Sequence, residues 1–527
     1  MNDPAQVREH ALREVERLLG KGQGEAATHA ARVLVEARPQ DAEAHVLLGH
    51  ALRQCGDAVA ALKSARRAAG LQPGNPAPRM LEADLLHERG QRAAALEVWQ
   101  ALAAEREAPP RLLQDLAQRF TMLGRHVDAE RCHARALRLQ PDDPPTIYNH
   151  ATSLIALGRL DEAEAALDRV IALNPDDSDA WYNRATLRKQ TVARNHVAAL
   201  EAQLARIAVG APSRVALGYA LAKELEDLGE HARSFAALKD AADTRRRQLR
   251  YRVEDDIETM GLIEQAFDAR FFARAHDGHD DARPIFIVGL PRSGTTLVDR
   301  ILGSHSAIGS RGETSDLVMA LMAGAGKVAS KAELVERSTR LDFAALGRRY
   351  CANLGDDAGL RQIDKTPVNF LYLGIIAAAL PNARVIHLRR NPMDACYAMY
   401  KTLFRMAYPF SYELTDLARY WLAYDRLMVH WKRVMPPTQL IELAYEDLVA
   451  DQEGQSRRLI EFLGLPWEDA CLAFERNPEP SLTASAAQVR QPIYRSSVAL
   501  WRRYESELAP LRAAFEAAGV RIEGGTA

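Results

Sequence analysis

Hydrophobic and polar positions follow one spacing in the first part of this chain and another after residue 280 or so. From about residue 8 to 190 a unit of 34 residues repeats. Its markers are a glycine, an alanine five positions later and, in most units, a proline: Gly22, Gly56, Gly90, Gly124, Gly158; Ala27, Ala61, Ala95, Ala129, Ala163; Pro39, Pro73, Pro141, Pro175. This pattern predicts stacked helix pairs. The glycine lies in the turn, the small residue lies where the two helices cross, and the proline follows the second helix.

The stretch 191–280 stays helical in pattern but loses the period. Residues 228–232 resemble the turn of a degenerate repeat. The basic run 245–247 is typical of a solvated helix face. Because glycine- and serine-rich linker composition is absent, we expect a helical connector that joins its neighbours rigidly.

From 281 to 527 strands and helices alternate. Short apolar, β-branched runs at 285–288, 385–388 and 439–443 predict buried strands, with helical patterns between them. The predicted fold class is therefore an all-α repeat superhelix (1–190), a helical connector (191–280) and an α/β domain with a parallel sheet (281–527). Ligands of such sheets bind at the carboxyl ends of the strands.

Composition excludes several function classes. Lys plus Arg (68) nearly balances Asp plus Glu (70), so no global field favours nucleic acid or a membrane surface. The five cysteines are scattered without metal-ligand spacing, which predicts buried thiols and no metal site. A polar start and the lack of a long apolar run predict a cytoplasmic protein without signal peptide or anchor.

A glycine turn between strand 285–288 and the next helix predicts an anion site. Backbone N–H groups in such a turn point inward, and the helix N-terminus adds about half a positive charge. Gly289 and Gly294 have the spacing of the nucleotide P-loop, but Thr295 stands where that loop requires lysine. The fixed cation is Arg292, whose planar fork suits two oxygens of one anion.

Five further motifs follow this turn in order. They are Gly312-Glu313-Thr314, Asp364-Lys365-Thr366-Pro367, Leu388-Arg389-Arg390-Asn391-Pro392-Met393-Asp394, Ala444-Tyr445-Glu446-Asp447-Leu448 and Phe462-Leu463-Gly464-Leu465-Pro466-Trp467. In order and spacing they resemble the sulfotransferases that use 3′-phosphoadenosine 5′-phosphosulfate (PAPS), over roughly 284 to 505. The likeness is greatest to the protein-tyrosine sulfotransferase branch and its bacterial relatives fused to tetratricopeptide repeats.

The resemblance implies a set of cofactor contacts. Those for the 5′-phosphosulfate are Pro291, Arg292, Ser293, Gly294, Thr295 and Thr296. It also implies that Arg390 binds the 3′-phosphate, although Ala398 stands where the family usually has a second, serine contact. Tyr445 matches the residue near the adenine, with a plain core tyrosine as the alternative. Ser485 and Arg495 are candidate contacts in the C-terminal stretch.

The resemblance also implies catalytic roles. Glu313, which follows Arg292 by 21 residues, matches the general base; capping the next helix is its alternative role. Lys365 matches the lysine that stabilises charge on the leaving oxygen, alongside Arg292, and its alternative is a surface ion pair with Asp364.

The predicted reaction is metal-free transfer of a sulfuryl group from PAPS to an acceptor hydroxyl, with adenosine 3′,5′-bisphosphate as product. The repeats would bind an acceptor peptide or protein through their groove; a spacer or an arm for self-association is the alternative. A P-loop kinase or NTPase, and a scaffold whose catalytic domain has decayed, remain as rival functions. The acceptor stays open between protein tyrosine, glycan, lipid and small phenol.

Overall fold

A computed structural model describes residues 4–355, 359–477, 491, 493 and 495–522. The chain divides into two compact units, Met1–Ser153 and Leu154–Ala527. The domain bounds expected from sequence, at residues 190 and 280, stay a prediction.

The first unit is built of helices, most of them in antiparallel pairs. They are α1 (Pro4–Gly20), α2 (Gly24–Ala37), α3 (Ala42–Gln54), α4 (Ala58–Leu71), α5 (Pro76–Glu88), α6 (Arg92–Ala104), α7 (Pro110–Met122) and α8 (His126–Leu139), with α9 (Pro144–Ala156) at the boundary. Gly56 has a φ of 80°, and the amide of Asp57 reaches back to the carbonyl of Leu52 at 3.0 Å. This left-handed glycine cap ends α3 and starts the return helix. Ala61 is fully buried, as the repeat pattern predicts.

The second unit begins with seven more helices. They are α10 (Leu160–Leu173), α11 (Ser178–Thr186), α12 (Val197–Arg206), α13 (Ser213–Asp227), α14 (His231–Gln248), α15 (Val253–Ala266) and α16 (Ala269–Phe272). Apolar side chains of α13, α14 and α16, such as Tyr219, Phe235 and Phe271, share one core with residues beyond 284, such as Phe343 and Trp431.

A five-stranded sheet forms the rest of the second unit. Its strands are β1 (Pro284–Gly289), β2 (Ile308–Ser310), β3 (Arg361–Asp364), β4 (Arg384–Arg389) and β5 (Leu440–Ala444). All neighbours pair in parallel in the order β2-β3-β1-β4-β5, so β1 lies at the centre. Every residue of β1 is buried. The parallel sheet that the sequence predicts is confirmed, with β2 and β3 as additional strands.

Helices connect these strands and cover the sheet. They are α17 (Thr295–Leu302), α18 (Asp316–Ala325), α19 (Lys331–Ser338), α20 (Phe343–Cys351), α21 (Leu373–Ala379), α22 (Pro392–Tyr400), α23 (Leu414–Val434), α24 (Tyr445–Ala450), α25 (Gln452–Phe462) and α26 (Ala509–Ala517). Turns of 3-10 helix occur at Pro367–Tyr372, Pro409–Tyr412, Asp469–Arg476 and Leu500–Tyr504. Because all the strands are parallel, the residues that follow each strand lie at the same edge of the sheet.

Candidate active site

The turn after β1 has the backbone geometry of an anion cradle. Arg292 and Gly294 both have positive φ, 66° and 104°. Backbone N–H groups in a turn of this kind bind anions, and α17 begins at Thr295 directly after it. Ser293 is buried, and its hydroxyl donates to the carbonyl of Leu290 at 2.6 Å, so this side chain stabilises the turn itself.

Tyr445 packs directly against this turn. A Cβ placed on Gly294 would lie 2.5 Å from Cδ2 of the Tyr445 ring, which leaves room for hydrogen only. The Tyr445 hydroxyl lies 2.8 Å from Oγ of Ser497 in the C-terminal segment. Tyr445 is thus a core side chain and a wall of the predicted cofactor site at once.

Arg390 connects the turn to the C-terminal segment. Its two terminal nitrogens donate to the carbonyls of Arg292 at 2.8 Å and Ser497 at 2.7 Å. The guanidinium lies 4.8 Å from the centroid of the Tyr445 ring. Its Nε–H is buried and meets no acceptor among the residues that the structure describes. Burying a cationic donor without an acceptor is costly, so this Nε–H is available to an anionic ligand.

Lys365 and Glu313 form an ion pair at the end of β3. Nζ of Lys365 lies 2.7 Å from Oε1 of Glu313, and the Lys365 side chain is 1% exposed against 48% for Glu313. The Lys365 amide also donates to the carbonyl of Gly312 at 2.8 Å. The two motifs that the resemblance singled out, 52 residues apart in sequence, thus meet at one point.

The alternative role of Lys365, a surface ion pair with Asp364, is therefore wrong. Lys365 is buried and pairs with Glu313 instead. The Asp364 carboxylate accepts from the hydroxyls of Thr314 at 3.0 Å and Thr366 at 2.7 Å, and burial raises its pKa. These bonds fix the backbone on both sides of the Lys365–Glu313 pair. Glu313 does not begin a helix either, since α18 starts at Asp316.

Asp299 is a buried carboxyl that sequence reasoning did not single out. It lies on α17 and is 8% exposed, and its Oδ1 has no hydrogen-bond partner among the described residues. Burial raises its pKa, and a hydrogen bond with Ser310 and then the positive charge of Lys365 oppose that shift. The sequence signal that could have identified it is an acidic residue among the apolar residues Val298, Ile301 and Leu302 of the predicted helix.

The C-terminal segment is held by a further buried carboxylate, that of Asp394. Asp394, in the first turn of α22, accepts from the amides of Ala499 at 2.6 Å and Trp501 at 3.1 Å. Burial raises the Asp394 pKa. Arg495 is exposed, and Ser485 lies outside the described residues. Ala398 is buried one turn after Asp394 on the same helix.

Near the opposite end of β1, three potential metal ligands lie together. The ligand atoms of His279, Asp281 and Cys351 are within 4.8 Å of one another. Arg283 holds both carboxylate oxygens of Asp281, with Nη2 at 2.6 Å from Oδ2 and Nε at 3.0 Å from Oδ1. The carboxylate is thus already neutralised by a guanidinium.

In the described part of the chain, no helix combines the length and the apolar character needed to cross a bilayer.

The edge of the sheet therefore combines three features. A positive-φ turn precedes a helix N-terminus, and Arg390 has a buried Nε–H without an acceptor in the part of the chain that the structure describes. A buried ammonium is paired with a half-exposed carboxylate. Such a set can bind a phosphate- or sulfate-bearing ligand and accept a proton beside it.

Family models match both parts of the chain. The Sulfotransferase family matches residues 284–469, and two models of the Tetratricopeptide repeat match 12–76 and 120–190.

Among similar proteins, an uncharacterized protein of Aquifex aeolicus is 34% identical over 59% of this chain and 43% of its own length. Protein-tyrosine sulfotransferase A of Caenorhabditis elegans is 27% identical over 43% of this chain and 63% of its own length. A solved sulfotransferase domain from the olefin synthase of Synechococcus PCC 7002 is 21% identical, with a TM-score of 0.33, over 46% of this chain and 97% of that domain. The chain thus spans about half the length of the Aquifex aeolicus and Caenorhabditis elegans relatives. The resemblance read from the motifs is confirmed: residues 284–469 match the sulfotransferase family, in a chain that also matches tetratricopeptide repeats in its N-terminal part.

Proposed function

We propose that this chain is a sulfotransferase that moves a sulfuryl group from PAPS to an acceptor hydroxyl and releases adenosine 3′,5′-bisphosphate. The observation that carries the proposal is the buried Lys365 ammonium 2.7 Å from the half-exposed Glu313 carboxylate, beside the positive-φ turn. A scaffold with a decayed catalytic domain has no reason to keep a buried charge at such a place, because burying it costs free energy.

The residues present fit this donor on two observations. Arg292 and Gly294 give the turn the two positive φ values of an anion-binding loop, and the buried Nε–H of Arg390 meets no acceptor among the residues that the structure describes. Arg292 and the N–H groups of the turn would hold the 5′-phosphosulfate, and Arg390 the 3′-phosphate. The donor, when bound, supplies a sulfuryl group on a phosphate leaving group.

Glu313 would accept the proton of the acceptor hydroxyl. Its exposed fraction leaves the carboxylate open to an incoming group, whereas Lys365 is enclosed. An ammonium has three donors, so Lys365 can bond Glu313 and still contribute a hydrogen bond to the leaving oxygen. Arg292, Lys365 and the N-terminus of α17 would provide the positive charge that magnesium provides in phosphoryl transfer.

We further propose that the repeats bind the acceptor, as a peptide or protein, or a partner that carries it. The similarity to protein-tyrosine sulfotransferase A supports a protein tyrosine as acceptor. A tyrosine phenol has a pKa of about 10 and loses its proton more readily than a sugar hydroxyl does. A phenolic acceptor therefore suits a carboxylate base.

Calorimetric titration tests the donor site. Purified protein in magnesium-free buffer is titrated with adenosine 3′,5′-bisphosphate, its 2′,5′ isomer, adenosine 5′-monophosphate and ATP. We expect micromolar binding of the 3′,5′ compound and at least tenfold weaker binding of the other three, about 1.4 kcal/mol. Ala398→Ser, which adds the family's usual hydroxyl, is expected to tighten binding.

The rival functions give different results. Tight, magnesium-dependent ATP binding would support a kinase or NTPase. Equal, weak binding of all four nucleotides would support the decayed scaffold.

A further inference from the structure

The C-terminal segment 495–501 brings a serine hydroxyl to the side chain of Arg390. The carbonyl of Ser497 accepts from Nη2 of Arg390 at 2.7 Å. Oγ of the same serine lies 2.8 Å from the hydroxyl oxygen of Tyr445. Because the carbonyl and the hydroxyl belong to one residue, covalent geometry keeps the Ser497 hydroxyl close to the guanidinium.

Arg390 has a donor left over beside this hydroxyl. A guanidinium carries five N–H donors, and the bonds to the carbonyls of Arg292 and Ser497 use two of them. The buried Nε–H meets no acceptor in the described ranges of the chain. The guanidinium also lies 4.8 Å from the centroid of the Tyr445 ring. An anion that accepts from this N–H is therefore bound beside both Tyr445 and Ser497.

The hydrogen bond between the two hydroxyl groups leaves one proton for such an anion. A hydroxyl donates one hydrogen bond and can accept two. A phenol is a stronger acid than an aliphatic alcohol, which favours Tyr445 as the donor and Ser497 as the acceptor. The hydrogen of the Ser497 hydroxyl is then available to an oxygen of the anion.

The backbone just after Ser497 is fixed by a buried carboxylate. Asp394 accepts from the amides of Ala499 at 2.6 Å and Trp501 at 3.1 Å. Ser497 is partly buried, whereas its neighbour Ser496 is exposed. The Ser497 hydroxyl is thus held in place before a ligand arrives, which reduces the conformational entropy that binding costs.

We propose that Ser497 binds the 3′-phosphate together with Arg390, its hydroxyl bonding one phosphate oxygen and the Arg390 Nε–H another. This inference rests on the proposed function, which assigns the 3′-phosphate to Arg390. Ala398 on α22 is buried and has no hydroxyl, so the C-terminal segment supplies this donor in place of α22. Selection of a nucleotide with a 3′-phosphate then depends on the C-terminal segment as well as on Arg390.

Calorimetry with matched serine variants tests this assignment. Full-length wild type, Ser497→Ala and Ser496→Ala are titrated with adenosine 3′,5′-bisphosphate and with adenosine 5′-monophosphate in magnesium-free buffer. We expect Ser497→Ala to weaken binding of the bisphosphate about tenfold or more, as for one lost hydrogen bond to a charged group, and to leave binding of the monophosphate unchanged. Ser496→Ala, at the exposed neighbour, should keep both wild-type affinities.

A conservative variant separates the hydroxyl from the fold of the segment. Ser497→Thr keeps a hydroxyl and is expected to bind the bisphosphate within about threefold of wild type, and circular dichroism during heating shows whether each variant is folded. Equal weakening of both nucleotides by Ser497→Ala would mean a packing role and overturns the inference, as does an unchanged bisphosphate affinity. A wild type that does not prefer the bisphosphate refutes the proposed donor itself, whereas a preference that survives in Ser497→Ala refutes only the role of Ser497.

Discussion

At the scale of single residues, Lys365 and Glu313 depend on each other. A buried ammonium without a partner is strongly unfavourable, and the 2.7 Å contact with Glu313 supplies the opposite charge. Glu313 in turn is the proposed base, and its side chain is 48% exposed, so an acceptor hydroxyl can reach the carboxylate. Asp364, through its bonds to Thr314 and Thr366, fixes the backbone that carries both residues.

Glu313→Gln is expected to lower kcat by about 10²–10⁴ while adenosine 3′,5′-bisphosphate still binds, because the amide keeps an acceptor oxygen for Lys365 but cannot take a proton. Initial rates of sulfate transfer and calorimetry measure the two effects. Glu336→Gln, at a side chain 67% exposed, is the control and should leave both unchanged. A fully active Glu313→Gln would remove Glu313 from the chemistry.

Thiol reactivity is also decided residue by residue. Burial raises the pKa of Cys132 and Cys471 to about 11 and of Cys351 to about 12, and it raises that of the fully enclosed Cys396 as well. Cys55 is exposed. Since the thiolate is the nucleophile, we expect native protein at pH 8 to react with Ellman's reagent at Cys55 alone, and all five thiols to react in guanidinium. Rapid labelling of a second cysteine in the native state would contradict this.

At the scale of elements, the strand–turn–helix unit of β1 and α17 works only with α24 beside it. Tyr445, the first residue of α24, fills the space that a side chain at Gly294 would need. The turn therefore combines a conformational and a packing requirement for glycine. Arg390, stacked on the same ring, links this unit to the C-terminal segment.

Gly294→Ala tests this arrangement. The new Cβ would lie 2.5 Å from the Tyr445 ring at a φ of 104°, so we expect the turn to shift and nucleotide binding to fall at least tenfold. Gly229→Ala, at a φ of 81° with open space around the new Cβ, carries backbone strain without the clash. Calorimetry should detect the loss in the first variant only, and equal effects would mean that packing on Tyr445 is unimportant.

At the scale of the whole chain, the second unit extends well beyond the part matched by the sulfotransferase family. The core of residues 284–515 includes Tyr219, Phe235, Phe267 and Phe271 from the preceding helices. Burial of each such side chain is worth about 1.5–3 kcal/mol. Several of them together equal the whole stability of a typical domain, about 5–15 kcal/mol.

We therefore expect a fragment of residues 281–527 to be insoluble or unfolded, whereas 142–527, which keeps α9 whole, folds cooperatively. Circular dichroism during heating and calorimetry with adenosine 3′,5′-bisphosphate compare the two fragments. A folded, nucleotide-binding 281–527 would show instead that the predicted boundary at 280 is a true domain limit.

Local patterns in the sequence determined a large part of this structure. The 34-residue period predicted the helix pairs because each repeat carries its own turn glycine and crossing alanine. The strands β1, β4 and β5 were predicted because buried parallel strands need uninterrupted apolar residues. In contrast, β3 (Arg361–Asp364) is short and largely polar, and β2 has three residues, so neither pattern distinguishes them from loop.

Only the tertiary structure decided which distant residues meet. The pairing of Lys365 with Glu313 rather than Asp364, the burial of Asp299 and the contact of Ser497 with Arg390 all depend on segments far apart in the chain. Spacing along the chain encodes local conformation, whereas such contacts arise when strand pairing and core packing bring the carboxyl ends of the strands to one edge.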